Sequence, residues 1–177
     1  MPDDRLTGRQ LLLLRHAKSS WDNPLLDDHE RPLAPRGTKA LDLVADRLRL
    51  WDVHPDLVLC SSARRAVDTW DGITGTIAAD TPVLIEDGLY GAGAGALLSR
   101  IGSVAGKVRC LLLIGHNPGL EDLAIRLAGA GKRSLRDELA LKFPTAALAL
   151  LTFTGEWDEL DAGSATLEQL FKPRKPH

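Results

Sequence analysis

Two cysteines, Cys60 and Cys110, are too few to staple a chain of 177 residues into shape. Both stand in apolar, strand-like runs, so they read as reduced core thiols of a cytosolic protein. A basic excess is missing too: 22 Lys and Arg against 24 Asp and Glu leave a net charge of -2. That argues against nucleic-acid binding, which needs a positive footprint. Only the end, "FKPRKPH", is basic, and a short charged end reads as solvated. No apolar run near the start is long enough for a signal peptide or a membrane span. Linkers and internal repeats are absent, and "GAGAGA" at 91–96 is the longest low-complexity tract. The expectation is a soluble cytoplasmic protein with one domain over 1–177 and a core over about 10–171. Its 44% apolar residues suffice for that core.

What is present is a set of short apolar runs at 10–14, 56–60, 82–86, 110–115 and 146–153. Near-continuous apolar runs suit strands covered on both faces, as in parallel sheets. Helical patterns lie between them. Over 36–50, Leu41, Val44, Ala45 and Leu48 form one stripe. Pro35 suits its first position, although Ala34 is a poor cap. After Gly119 the same spacing recurs in Leu120, Leu123, Ala124, Leu127 and Ala128. Asn117 can cap that helix, with Pro118 at its first position and Glu121 and Asp122 at its positive end. Shorter helices are expected at 64–74 and 94–104. The alternation predicts an α/β fold, a three-layer α/β/α sandwich around a mostly parallel sheet. The polar segment 15–35 has no period, and a loop that long is usually functional or mobile.

Open α/β sheets bind ligands beyond the carboxyl ends of their strands. The first strand ends in Arg15–His16, the second in "CSSARRA", the fourth in "GHNPG". Ser61 or Ser62 can cap the helix that carries Arg64 and Arg65. If these strands are parallel and adjacent, two histidines and at least two arginines converge beside helix N-termini. Such a pocket suits an anion with several oxygens, phosphate first.

Four motifs in order, "LRHAKSSW", "DHERPLAPRG", "SSARRAVDT" and "LLIGHNPGLEDLA", resemble the histidine phosphatase (phosphoglycerate mutase-like) superfamily. Within it the chain resembles the short SixA-type phosphohistidine phosphatases. The resemblance implies the histidine phosphatase fold. It implies that His16 is the nucleophile that becomes phosphorylated, with Arg15 beside it. It makes Arg65, not Arg64, the second phosphate clamp, and His116 the second pocket histidine. Arg31 becomes an extra phosphate ligand oriented by Asp28. Lys18, Ser19 and Asn117 join it as substrate-binding candidates. The chain departs from the mutase branch at Ala17, Lys18 and Asp22. No motif fixes the acid that protonates the leaving group. Glu86, in "LIEDGLY", lies in the right region, and a solvated strand-end carboxylate is the competing reading.

The residues alone permit the same chemistry. Guanidiniums beside His16 push it toward its neutral, nucleophilic form and hold phosphoryl oxygens in a two-pronged fork. His116 holds an equatorial oxygen and can carry a proton while doing so. Fixed cations supply the charge, so no metal or other cofactor is required, and inorganic phosphate is the second product. The preferred substrate is a phosphohistidine on a protein, because protonated imidazole leaves readily without an acid. A small phosphate ester is the alternative. A mutase needs a lid that 177 residues barely supply. A metal hydrolase lacks an H-E-x-x-H spacing. "GAGAGA" follows no clean strand, and "GAGKRS" lacks the P-loop spacing. A non-catalytic phosphate-binding module remains the rival from another class, with His16 counting against it.

Overall fold

The computed structural model describes residues 8–173. The basic end read as solvated lies mostly outside the described residues. A seven-stranded sheet runs in the order β3-β2-β4-β1-β6-β7-β5. The strands are β1 Arg9–Arg15, β2 Leu57–Ser61, β3 Val83–Glu86, β4 Cys110–Gly115, β5 Ala128–Gly131, β6 Leu148–Phe153 and β7 Ala165–Phe171. β1 pairs with β4, β4 with β2, and β2 with β3, all parallel. β6 runs antiparallel to both β1 and β7, and β5 lies parallel to β7. β6 is therefore the one strand reversed among those described.

The helices are α1 Pro35–Leu50, α2 Arg64–Ile73, α3 Ala94–Gly102, α4 Gly119–Leu127 and α5 Arg133–Leu141. They cover both sheet faces, completing the three-layer sandwich. Alternation along β1 explains why its run has no polar break. Leu11 and Leu13 face α3, α4 and α5, while Leu12 and Leu14 face α1 and α2. All four are fully buried, each stabilising the fold by about 2 kcal/mol relative to exposure. β4 repeats the pattern with Leu111 and Leu113 on one side and Leu112 and Ile114 on the other.

Two strands and a helix lie beyond the expected set: β5, β7 and α5. The last expected strand begins at Leu148, two residues late. Ala146 takes a left-handed φ of 62°, and its N–H bonds the carbonyls of Arg15 and His16. It is a corner that holds the end of β1. Caps also differ from expectation. Ala63 precedes α2 without a side-chain cap; Ser61 and Ser62 each bond a histidine, and Ser61 Oγ also accepts the Ala63 N–H at 3.3 Å. Pro118 takes the position before α4, and Asn117 Oδ1 still accepts the Glu121 N–H at 3.3 Å.

Candidate active site

β1, β2 and β4 are neighbours pointing the same way, so their carboxyl ends share one edge. There a cleft of about 440 Å³ opens, and Arg15, His16, Arg31, Arg65 and His116 all line it. Lys18, Ser19, Trp21, Asp28, Tyr90, Asn117 and Thr145 complete the wall with Gly91. A wider groove of about 840 Å³ sits at the other end of β1, against Gln10, Trp51 and Thr152. It holds no histidine, so the chemistry belongs to the smaller cleft.

The segment after β1 is held rigidly. The Ala17 N–H donates to Thr69 Oγ1 at 3.0 Å, and that hydroxyl donates to the Arg65 carbonyl at 2.7 Å. One threonine thus ties the His16 loop to the helix carrying Arg65. Gly37 lets α1 approach as well: a Cβ there would lie 2.2 Å from the Lys18 carbonyl oxygen.

His16 is 7% exposed, and its Nδ1 lies 2.7 Å from the Ala17 carbonyl oxygen. A carbonyl only accepts, so Nδ1 carries the proton and Nε2 keeps its lone pair. The His116 ring centroid is 5.1 Å from that of His16. His116 Nε2 meets Ser61 Oγ at 2.7 Å, while its buried Nδ1 has no partner among the described residues. Burial pushes the His16 pKa down to about 3, with His116, Arg65 and Arg15 adding to it against the Ala17 bond. Burial, then Arg65, pushes His116 down to about 4. The guanidiniums do act on His16 as the sequence suggests, but burial acts more strongly. The downward shift of His116 favours its neutral form near pH 7, whereas the expected proton concerns His116 with a phosphoryl oxygen against it.

These shifts make a prediction for stability. Between pH 6.5, the ordinary value, and about 3, the unfolded chain binds more protons than the folded one. Stability therefore falls as pH drops through that window and levels off below it. His16 alone accounts for a loss on the order of a few kcal/mol. Thermal midpoints of the native protein should decline steadily from pH 6.5 to pH 4. A His16→Gln/His116→Gln variant should decline much less, and equal slopes would refute the assignment.

Asp28 gathers the remaining polar groups. Arg65 donates to its carbonyl at 2.7 Å and to Oδ2 at 3.0 Å. Arg31 donates to Oδ1 at 3.0 Å, and the Tyr90 hydroxyl to Oδ2 at 2.5 Å. The Tyr90 bond first, then the two arginines, hold the Asp28 pKa down to about 2. Arg31 also donates to Ser19 Oγ at 2.6 Å and to the Ser20 carbonyl at 3.0 Å, and stacks over the Trp21 ring at 3.1 Å. Ser19 thus orients Arg31. Arg15 donates to the Phe143 carbonyl at 3.2 Å, and the Asn117 amide donates to the same carbonyl at 2.8 Å. Arg15 Nε is buried without a partner among the described residues. Lys18 is exposed at the rim. Three guanidiniums outnumber one carboxylate, which suits a phosphoryl dianion.

Two expectations divide here. Arg64 points away and pairs with Asp68 at 3.1 Å. Glu86, the candidate acid, does not line the cleft: both its oxygens take 2.8 Å bonds from Arg100. That ion pair lowers its pKa, the opposite of what a proton donor needs. Tyr90 and Thr145 are the cleft residues that sequence reasoning missed, and Tyr90 is the one that bonds Asp28. Its one signal is that it is the chain's single tyrosine, following a strand that ends on the same edge.

The profile of the Histidine phosphatase superfamily (branch 1) matches residues 11–100. An uncharacterised protein of Mycobacterium tuberculosis, Rv1276c, is 37% identical over 163 residues, covering 91% of this chain and all of that one. A candidate phosphohistidine phosphatase SixA from Nakamurella multipartitia superposes with a TM-score of 0.81 at 29% identity, covering 94% of this chain and 96% of that one. Its counterpart from Agrobacterium tumefaciens gives 0.79 at 28% identity, with coverage of 93% and 98%.

Proposed function

The chain belongs to the histidine phosphatase superfamily, and from that premise we propose that it hydrolyses phosphohistidine on a protein through a phosphohistidine of its own at His16. The observation that carries the substrate choice is the state of Asp28. It is the one carboxylate lining the cleft among the described residues, and its neighbours hold it ionised far below neutrality. A site without a carboxylic proton donor handles an alkoxide poorly, because alkoxides need protonation as they leave. A phosphohistidine ring protonated on its distal nitrogen departs as neutral imidazole without that help.

The cycle follows. The lone pair of His16 Nε2 attacks phosphorus in line. The N–P bond of the substrate breaks, and its electron pair leaves with the departing imidazole. Arg15, Arg65 and Arg31 hold the phosphoryl oxygens, and His116 offers a ring N–H to one of them. Water then attacks phosphorus, the His16 Nε2–P bond breaks with its electron pair returning to the ring, the water's proton passes to solvent, and inorganic phosphate is released. The Nδ1–H bond to Ala17 keeps the ring in one tautomer throughout. Two buried free thiols, Cys60 and Cys110, support a cytoplasmic setting.

The test compares a phosphohistidine peptide with an alkyl phosphate at pH 7. The peptide should be preferred by about a hundredfold or more in kcat/KM, the contribution of a missing general acid. A preference for the alkyl ester would move the reading to a small-molecule phosphomonoesterase.

A further inference from the structure

We propose that the loop 20–27 is a docking surface for the phosphorylated protein, and that it takes a partner segment of apolar residues edged with lysine or arginine. This rests on the phosphohistidine reading above.

His16 lies at the cleft floor, 7% exposed. A histidine side chain is short, so a partner can deliver its phosphoryl group only by resting its own surface on the rim. The loop 20–27 forms part of that rim, continuous with Ser19, Trp21 and Asp28 of the cleft wall.

The loop is preformed. At its base the Ser20 N–H donates to the Pro32 carbonyl at 2.8 Å, and Arg31 Nε donates to the Ser20 carbonyl at 3.0 Å. At its tip the Leu25 N–H donates to Asn23 Oδ1 at 3.1 Å and the Leu26 N–H to the Asn23 carbonyl at 3.3 Å. A partner meeting such a loop pays little for ordering it. Yet the loop turns large apolar side chains to water: Leu25 is 91% exposed, Trp21 71% and Leu26 38%. Exposed apolar groups gathered beside an active site mark an interaction surface, and tryptophan is a preferred anchor.

The charges indicate the partner. From Trp21 to Glu30 there is no lysine or arginine, and Asp22, Asp27 and Glu30 are exposed acids. Asp22 and Asp27 make no side-chain hydrogen bond or ion pair among the described residues. They repel the phosphoryl group itself, so they do not serve its capture. They complement a basic edge on whatever presents it. An anionic membrane surface would be repelled by the same carboxylates.

The experiment uses two phosphohistidine peptides of equal length. One flanks the modified residue with leucine and lysine, the other with serine and glutamate. Phosphoramidate serves as a small N–P substrate. The native protein should favour the leucine–lysine peptide about tenfold in kcat/KM, mainly through KM. Leu25→Ser, Asp22→Asn and Asp27→Asn should each reduce that preference without lowering phosphoramidate turnover. Equal turnover of the two peptides, or a preference that survives all three substitutions, would overturn the docking surface while leaving the phosphohistidine reading intact. Turnover of an alkyl phosphate with neither peptide nor phosphoramidate cleaved would overturn both.

Discussion

Replacing His16 by alanine is expected to lower phosphate release by at least about 10⁴-fold, since losing a nucleophile removes the reaction path and not merely a contact. The ring is buried, held in one tautomer by Ala17 and faced by His116 at 5.1 Å between centroids. No other described group on the cleft wall offers an equivalent lone pair. His116 has its Nε2 on Ser61 at 2.7 Å, and in the proposed cycle its other nitrogen carries the N–H given to a phosphoryl oxygen. The cleanest readout is trapping. Native protein quenched during turnover should carry phosphate that is labile in acid and stable in base, as a phosphoramidate linkage is. His16→Ala should carry none. Circular dichroism of the variant controls for folding. Residual activity near the native level in a folded variant would end the nucleophile assignment.

The parts of this site that were legible in the sequence share one physical cause. Strands buried on both faces leave unbroken apolar runs, so β1, β2 and β4 announce themselves, and whatever polar residue ends such a run stands at the sheet edge. Arg15, His16 and His116 were visible for that reason, and Arg64 with Arg65 as a pair just beyond β2; the choice of Arg65 between the two came from the family resemblance. The hidden parts lack this signature. β7, "ATLEQLF", alternates apolar with polar because only part of it is covered. β5 reads "AGAG", a tract with no apolar run, and its composition is set by close approach: a Cβ on Gly129 would lie 2.0 Å from the Gly163 carbonyl oxygen. Glu86 sits at the end of β3 and looked eligible, but Arg100, fourteen residues on, claims it. The link from Tyr90 to Asp28 spans 62 residues and joins two irregular segments. No local pattern encodes it, because it exists only once both segments meet over the cleft.

Arg65 carries the second large expected effect, and its two substitutions separate field from geometry. Arg65→Ala should lower kcat/KM by about 10²–10³, the usual loss for one oxyanion donor in a water-poor site. It should also change the pH profile. Burial is the leading cause of the depressed pKa values of His16 and His116, and Arg65 adds to both. Removing that charge lets both rings bind protons at higher pH. The nucleophile then protonates earlier, and the acid limb of kcat/KM moves toward neutrality, part of the way and not all of it. Asp28 stays ionised, because Tyr90 and Arg31 still hold it. Arg65→Lys keeps the charge but lacks the fork that now spans the Asp28 carbonyl and carboxylate. Its acid limb should return close to the native position while most of the rate stays lost. An acid limb that fails to move in Arg65→Ala would mean that burial alone keeps the histidines neutral. A full return of rate in Arg65→Lys would mean that a point charge suffices, and that two-pronged geometry plays no part in holding the phosphoryl group.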